Sequence, residues 1–152
     1  MLNTIKVIDA LLRVQLPEGF CWYRYNVDGY GEREDGSPFD GVGIGRPWPL
    51  LTGERAHYEL AAGRMQVAEE LLRVMEFSTE GGRLIPEQVW DAADIPAREL
   101  FTGKPTSAAC PLVWGHSEYN QAAPLFARRK DLRSTAPAIP ALCGRKEEIT
   151  QP

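Results

Sequence analysis

Three short strings combine side chains that could do chemistry. Trp22-Tyr23-Arg24-Tyr25-Asn26-Val27-Asp28-Gly29-Tyr30 sets aromatic faces around one guanidinium and one carboxylate. That mixture suits a polyhydroxylated ring, whose C–H faces pack on aromatic rings while Arg and Asp make directional bonds to its hydroxyls. The same residues would also serve a loop packed back on the core through its rings. Gly45-Arg46-Pro47-Trp48-Pro49 reads, taken alone, as a turn leading into a helix, because proline is favoured at a helix start. Ile85-Pro86-Glu87-Gln88-Val89-Trp90-Asp91, with Asp94 beyond it, holds a carboxylate beside an amide and an indole. Glu87 so placed could be a general base activating water, although most loop glutamates are simply solvated.

Other chemistries are excluded by composition and spacing. The 152 residues carry 17 Lys+Arg against 21 Asp+Glu, a formal net charge of −4, with no Lys/Arg cluster. Phosphate binding needs concentrated positive charge, so neither nucleic acid nor an anionic membrane is an expected partner. No apolar run is long enough to span a bilayer, and the first residues lack the apolar core of a signal peptide. Cys21, Cys110 and Cys143 are an odd number without CxxC spacing, which points to reduced thiols and away from a disulfide frame or zinc site. His57 and His116 have no ligand spacing to each other or to a cysteine, so no metal and no cofactor are expected. Gly41-Val42-Gly43-Ile44-Gly45 is not a phosphate loop, since no strand precedes it and no Gly-Lys-Ser/Thr follows.

The elements that must position these residues are helices. Ile5, Ile8, Leu11 and Leu12 recur at helical spacing after Asn3, which predicts a helix over Thr4 to Val14. Leu51, Tyr58, Ala61 and Ala62 predict a second helix from Trp48 to Ala62, with Gly63 as its stop. Met65, Ala68, Leu71, Leu72 and Met75 predict a third, and the two would form a hairpin. A last helix is expected from near Ser107 or Pro111 to Tyr119. Long aromatic and acidic loops separate these helices, and no convincing strand is visible. The expected class is therefore all-α, built from paired helices.

In this order and register, the strings resemble the C-terminal part of the catalytic domain of glycoside hydrolase family 15, the glucoamylase and glucodextranase family. The resemblance runs from about Asn3 to Tyr119, and the bacterial glucodextranase-like branch looks nearest. It rests on Cys21-Trp22-Tyr23-Arg24-Tyr25, Asp28-Gly29-Tyr30-Gly31-Glu32, Gly45-Arg46-Pro47-Trp48-Pro49-Leu50-Leu51-Thr52-Gly53-Glu54-Arg55, Pro86-Glu87-Gln88-Val89-Trp90-Asp91 and Pro111-Leu112-Val113-Trp114. It implies a partial (α/α)6 toroid, of which residues 1–119 would be roughly the last third, beginning inside a helix. It also implies inverting release of glucose from the non-reducing end of an α-glucan or oligosaccharide. In such a reaction one carboxylic acid protonates the leaving oxygen while a carboxylate about 6.5–9.5 Å away activates water. By resemblance Glu87 is that base, and Arg24, Asp28, Tyr30, Trp48, Gln88 and Trp114 bind the sugar. Asn26-Val27 departs from the Pro-Glu of fungal members, in the part that makes distal sugar contacts. The general acid would lie upstream of this chain, so the chain alone is expected to be inactive or nearly so. A non-catalytic gene product, or a partial toroid that binds glucan, is the competing expectation.

The composition changes near Tyr119. There are 11 Lys+Arg and 18 Asp+Glu before it, but 6 and 3 from it onward. Residues 120–152 are expected to be a non-native, frameshift-like disordered tail. Codons for Asn120 to Ala127 exist that, read one base later, give an apolar helical run. On that expectation the last helix stops near Pro124 and the tail makes few contacts.

Overall fold

The computed structural model describes residues 2–79 and 84–134. Its elements in chain order are helix α1 (Leu2–Leu12), strands β1 (Arg13–Leu16) and β2 (Gly19–Trp22), then helices α2 (Pro49–Ala61), α3 (Met65–Phe77) and α4 (Val113–Ser134). A single 3-10 turn, Pro96–Arg98, interrupts the long loop between α3 and α4.

α2 and α3 form the expected hairpin, turned at Gly63, whose φ of +77° is a backbone conformation that favours glycine. The face that reads as apolar every three or four residues is the face that is buried. Ala56, Leu60, Ala68, Leu71, Leu72 and Met75 form the core with Trp22, Ile85 and Ala122. α4 packs across both helices of the hairpin.

Two expectations are corrected. The first helix ends at Leu12, not Val14, and the chain then makes a short antiparallel hairpin pairing Arg13 with Trp22, Val14 with Cys21 and Leu16 with Gly19. Val14 fits the helical spacing of α1, but Leu16, Cys21 and Val89 bury a second small core that only an extended segment can reach. Gly19, at φ +141°, sits where an added Cβ would lie 2.5 Å from Val74 Cγ2, so the tight turn and close approach to α3 require glycine. The second correction concerns α4, which runs through Pro124 to Ser134. Proline removes one helical hydrogen bond, but tertiary packing overrides that loss. Tyr119, Ala122, Ala123 and Phe126 follow helical spacing onto the core, and Arg129 donates to the carbonyl of Leu60. Residues as far as Lys130 therefore make specific contacts, while 135–152, the remainder of the expected tail, lie outside the described residues.

An ion network secures α1 to α2. Arg55 bonds both oxygens of Asp9, at 2.5 and 2.8 Å, and also Glu59, at 2.7 Å. Glu59 is further bonded by Arg64, and the Trp22 indole N–H reaches Asp9 at 3.1 Å. Burial alone would raise the Asp9 and Glu59 carboxyls, but the guanidinium hydrogen bonds and charges hold both below the usual carboxylate range. A carboxyl depressed in the folded state stabilises the fold above its unfolded pKa, and that stability is lost as pH falls through the folded value. Thermal midpoints followed by circular dichroism should thus be steady near neutrality and fall progressively from about pH 5 downward. A midpoint unchanged between about pH 6 and pH 3 would contradict this role for the network.

The thiols differ in the same physical way. Cys21 is fully buried, and burial pushes its thiol up to about 12, whereas Cys110 is exposed. The thiolate is the reactive form. Brief alkylation of the folded chain at about pH 8 followed by peptide mapping should modify Cys110 and spare Cys21 until denaturant is added.

Candidate active site

The segment 85–90, which bends at Glu87 and bridges to Pro105 at Val89, lies between two others. Val89 N–H donates to Pro47 O at 3.0 Å on one side, while Glu87 N–H donates to Ala109 O at 2.8 Å and Trp90 N–H to Lys104 O at 2.8 Å on the other. This pairing brings the Glu87 string against the Trp48 string and the loop before α4. The aromatic string joins them from above β2, where Trp48 N–H bonds Trp22 O at 2.9 Å.

Arg24 and Asp28 form a bidentate pair, Nε to Oδ2 at 2.8 Å and Nη2 to Oδ1 at 2.9 Å. Asp28 is almost wholly buried and also accepts the Tyr30 N–H at 3.0 Å. Burial opposes its charge, but Arg24 and that N–H hold its carboxyl below the usual range. The guanidinium lies 4.6 Å over the Trp48 ring and 5.1 Å from that of Tyr30, distances at which cation–π attraction operates. Arg24 Nη1 has no partner among the described residues and remains able to donate.

Glu87 is half-buried, with polar neighbours. Its Oε2 lies 3.3 Å from the Tyr30 hydroxyl, which donates to it, and 3.4 Å from the Ala109 N–H. Among the described residues nothing hydrogen-bonds its other oxygen. Burial and the Glu87 charge both raise the Tyr30 phenol above its ordinary value, so it stays protonated and able to donate. The loop 22–30 and the loop carrying Glu87 thus meet at one end of the helical hairpin.

Gln88, expected among the sugar-binding residues, is instead wholly buried. Its Nε2 donates to Tyr30 O at 3.0 Å and its Oε1 accepts the Arg46 N–H at 2.7 Å, so both ends of the amide are occupied by main chain. It aligns the two loops. Trp48 is buried under Arg24, and its indole N–H has no partner among the described residues. Trp114 stands 59% exposed in the first turn of α4 and takes no part in the hydrogen bonds that join the others.

Four residues at the site carried no expected role. Arg46 bonds Asp91 at 2.9 Å and lies 3.9 Å over the Trp90 ring, and Tyr23 donates to the same Asp91. Glu32, 2% exposed, bonds Ser107. All four sit inside strings that stand out in the sequence, but their partners are dozens of residues away.

Helices paired antiparallel, with carboxylate, guanidinium and aromatic groups gathered on loops at one end, make this a partial (α/α)6 toroid of the six-hairpin glycosidase type. The chain is similar to one stretch of the glucoamylases, and this resemblance to glycoside hydrolase family 15 is carried by sequence and fold together. It is 49% identical over 120 residues to a glucoamylase of Clostridium sp. (strain G0005), a match that covers 78% of this chain and 15% of that protein. The crystal structure of a bacterial glucoamylase complexed with acarbose matches with a TM-score of 0.70 and 46% identity, over 86% of this chain and 17% of that one. No protein-family model matches the chain.

Proposed function

We propose that this chain carries the general-base side of the active site of an inverting, exo-acting glycoside hydrolase that releases glucose from the non-reducing end of an α-glucan or oligosaccharide. The observation that carries this reading is the setting of Glu87. One carboxylate oxygen is fixed by the Tyr30 hydroxyl at 3.3 Å, and the other takes no hydrogen bond from the described residues. A general base needs that arrangement: one oxygen held for aim, the other left to accept a proton from water. Arg24, braced by Asp28 and backed by the buried Trp48 ring, offers its remaining N–H groups to sugar hydroxyls, and Tyr30 and Trp114 offer ring faces to its C–H groups. Gln88 holds the loops in register and does not itself touch the sugar. The glucoamylase relatives, one of them holding the sugar inhibitor acarbose, support oligosaccharide as the ligand class.

The other carboxyls of the cluster are engaged. Asp28 is paired with Arg24 and Asp91 with Arg46 and Tyr23, while Glu32 is bonded to Ser107 through one oxygen and has the other buried away from any ligand. None is free to protonate a leaving oxygen, so the 152-residue chain alone should release no glucose above background. Joined to the remaining portion of the Clostridium glucoamylase, it should release glucose from maltooligosaccharides or isomaltooligosaccharides in a reaction that depends on Glu87. A joined protein that binds acarbose yet releases no glucose would replace this reading with glucan binding without cleavage.

A further inference from the structure

Glu32 lies two residues beyond Tyr30 with its carboxylate inside the protein, 2% exposed. Its Oε1 accepts both the main-chain N–H of Ser107, at 2.6 Å, and the Ser107 hydroxyl. Its Oε2 is buried with no partner among the described residues. A buried carboxylate with one idle oxygen is a costly way to fasten two loops, and a neutral pair would be the ordinary solution. What it fastens is therefore informative. Ser107 belongs to the segment that borders the Glu87–Gln88 pair: Thr106 N–H donates to Gln88 O at 3.1 Å, and Glu87 N–H donates to Ala109 O at 2.8 Å. Across the pair, Gln88 Nε2 donates to Tyr30 O at 3.0 Å. The hydrogen bonds close a ring through 30–32, 106–109 and 87–88, in which Glu32 is the charged link between 30–32 and 106–109.

We propose that Glu32 is a positioning residue for Glu87: by anchoring Ser107 through two charge-assisted hydrogen bonds it fixes the 106–109 segment, and so the placement of the Glu87 carboxylate beneath the Tyr30 hydroxyl. Charge-assisted bonds are shorter and stronger than neutral ones, which suits a link that must hold a base in aim. The other end of Glu32 is equally fixed, because its carbonyl accepts the Ile44 N–H at 3.0 Å. The role rests on the reading of Glu87 as the base.

The test has two arms. In the full chain, residue-resolved amide exchange is measured for E32A and E32Q. E32A should accelerate exchange at Glu87 and Thr106 by about tenfold or more while leaving α2 and α3 unchanged, and E32Q, which keeps an oxygen for Ser107 but not the charge, should restore part of the protection. In the chain joined to the remaining portion of the Clostridium glucoamylase, E32A should lower kcat by about tenfold or more with KM within about threefold, and E32Q should recover part of kcat. Acceleration spread evenly over α2 and α3 would make Glu32 a general stabiliser and overturn the proposal, as would full kcat in E32A. A joined protein that is inactive with Glu32 intact would instead overturn the reading of Glu87 as base, and the positioning role with it.

Discussion

Replacing Glu87 by Gln, in the chain joined to the remaining portion of the Clostridium glucoamylase, should lower glucose release by about 10² to 10⁴, the usual contribution of a general base. The amide keeps the shape of the carboxylate and can still accept the Tyr30 hydroxyl proton, so the loops should stay where they are. What it loses is the ability to take a proton from water as the glycosidic bond breaks. The defect should therefore fall on kcat, with KM and acarbose affinity close to those of the parent. Glucose release within a few-fold of the parent would sink the assignment. A loss of acarbose binding as large as the loss of rate would show that Glu87 serves binding alone.

The second large effect is expected on stability. An alanine Cβ at position 31 would lie 2.2 Å from the Ile44 carbonyl oxygen and 3.0 Å from Gln88 Oε1, and one at position 43 would lie 1.8 Å from the Gly31 oxygen. The obstacles are main chain from both sides of one loop, so rotamer changes cannot relieve them. Gly31→Ala must push 28–32 away from 43–45 and strain the Gln88 amide that bridges them. Such overpacking costs about 1–3 kcal/mol, read as a lower midpoint in urea. Gly29→Ala is the matched control, since its nearest neighbour would be at an ordinary 3.8 Å and its effect should stay within about 0.5 kcal/mol. Equal midpoints for the two variants would falsify the close-packing account of the loop.

The hairpin of α2 and α3 is legible from the sequence because one face of each helix is apolar at a spacing of three to four residues, and that face is the core. β1 and β2 are not legible, since four residues each are too few to show alternation and Val14 also fits the helix before it. The continuation of α4 beyond Tyr119 is written in Tyr119, Ala122, Ala123 and Phe126, but Pro124 and the change in charge speak against it locally. Only the core formed by the α2–α3 hairpin resolves the conflict. At the site the strings reveal which residues stand out without revealing what each touches. Glu87 and Gln88 look alike in a linear reading, one exposed candidate beside another. Their opposite environments come from hydrogen bonds to Tyr30, Arg46 and Ala109, which no local pattern encodes.

The neighbourhood of Glu87 and Gln88 has one further consequence. The segment 85–90 is held by main-chain bonds to 47 on one side and to 104–109 on the other. It bends at Glu87, and of its six residues Glu87 alone is not buried. The carboxylate therefore reaches the site because the chain turns at that one position between buried neighbours. Any substitution at Glu87 alters one group, but removing a single residue between Leu84 and Gln88 would shift the bend against its bonds to Ala109, Pro47 and Lys104. Spacing along this segment, as much as the identity of the residue at 87, decides whether a carboxylate stands at the site.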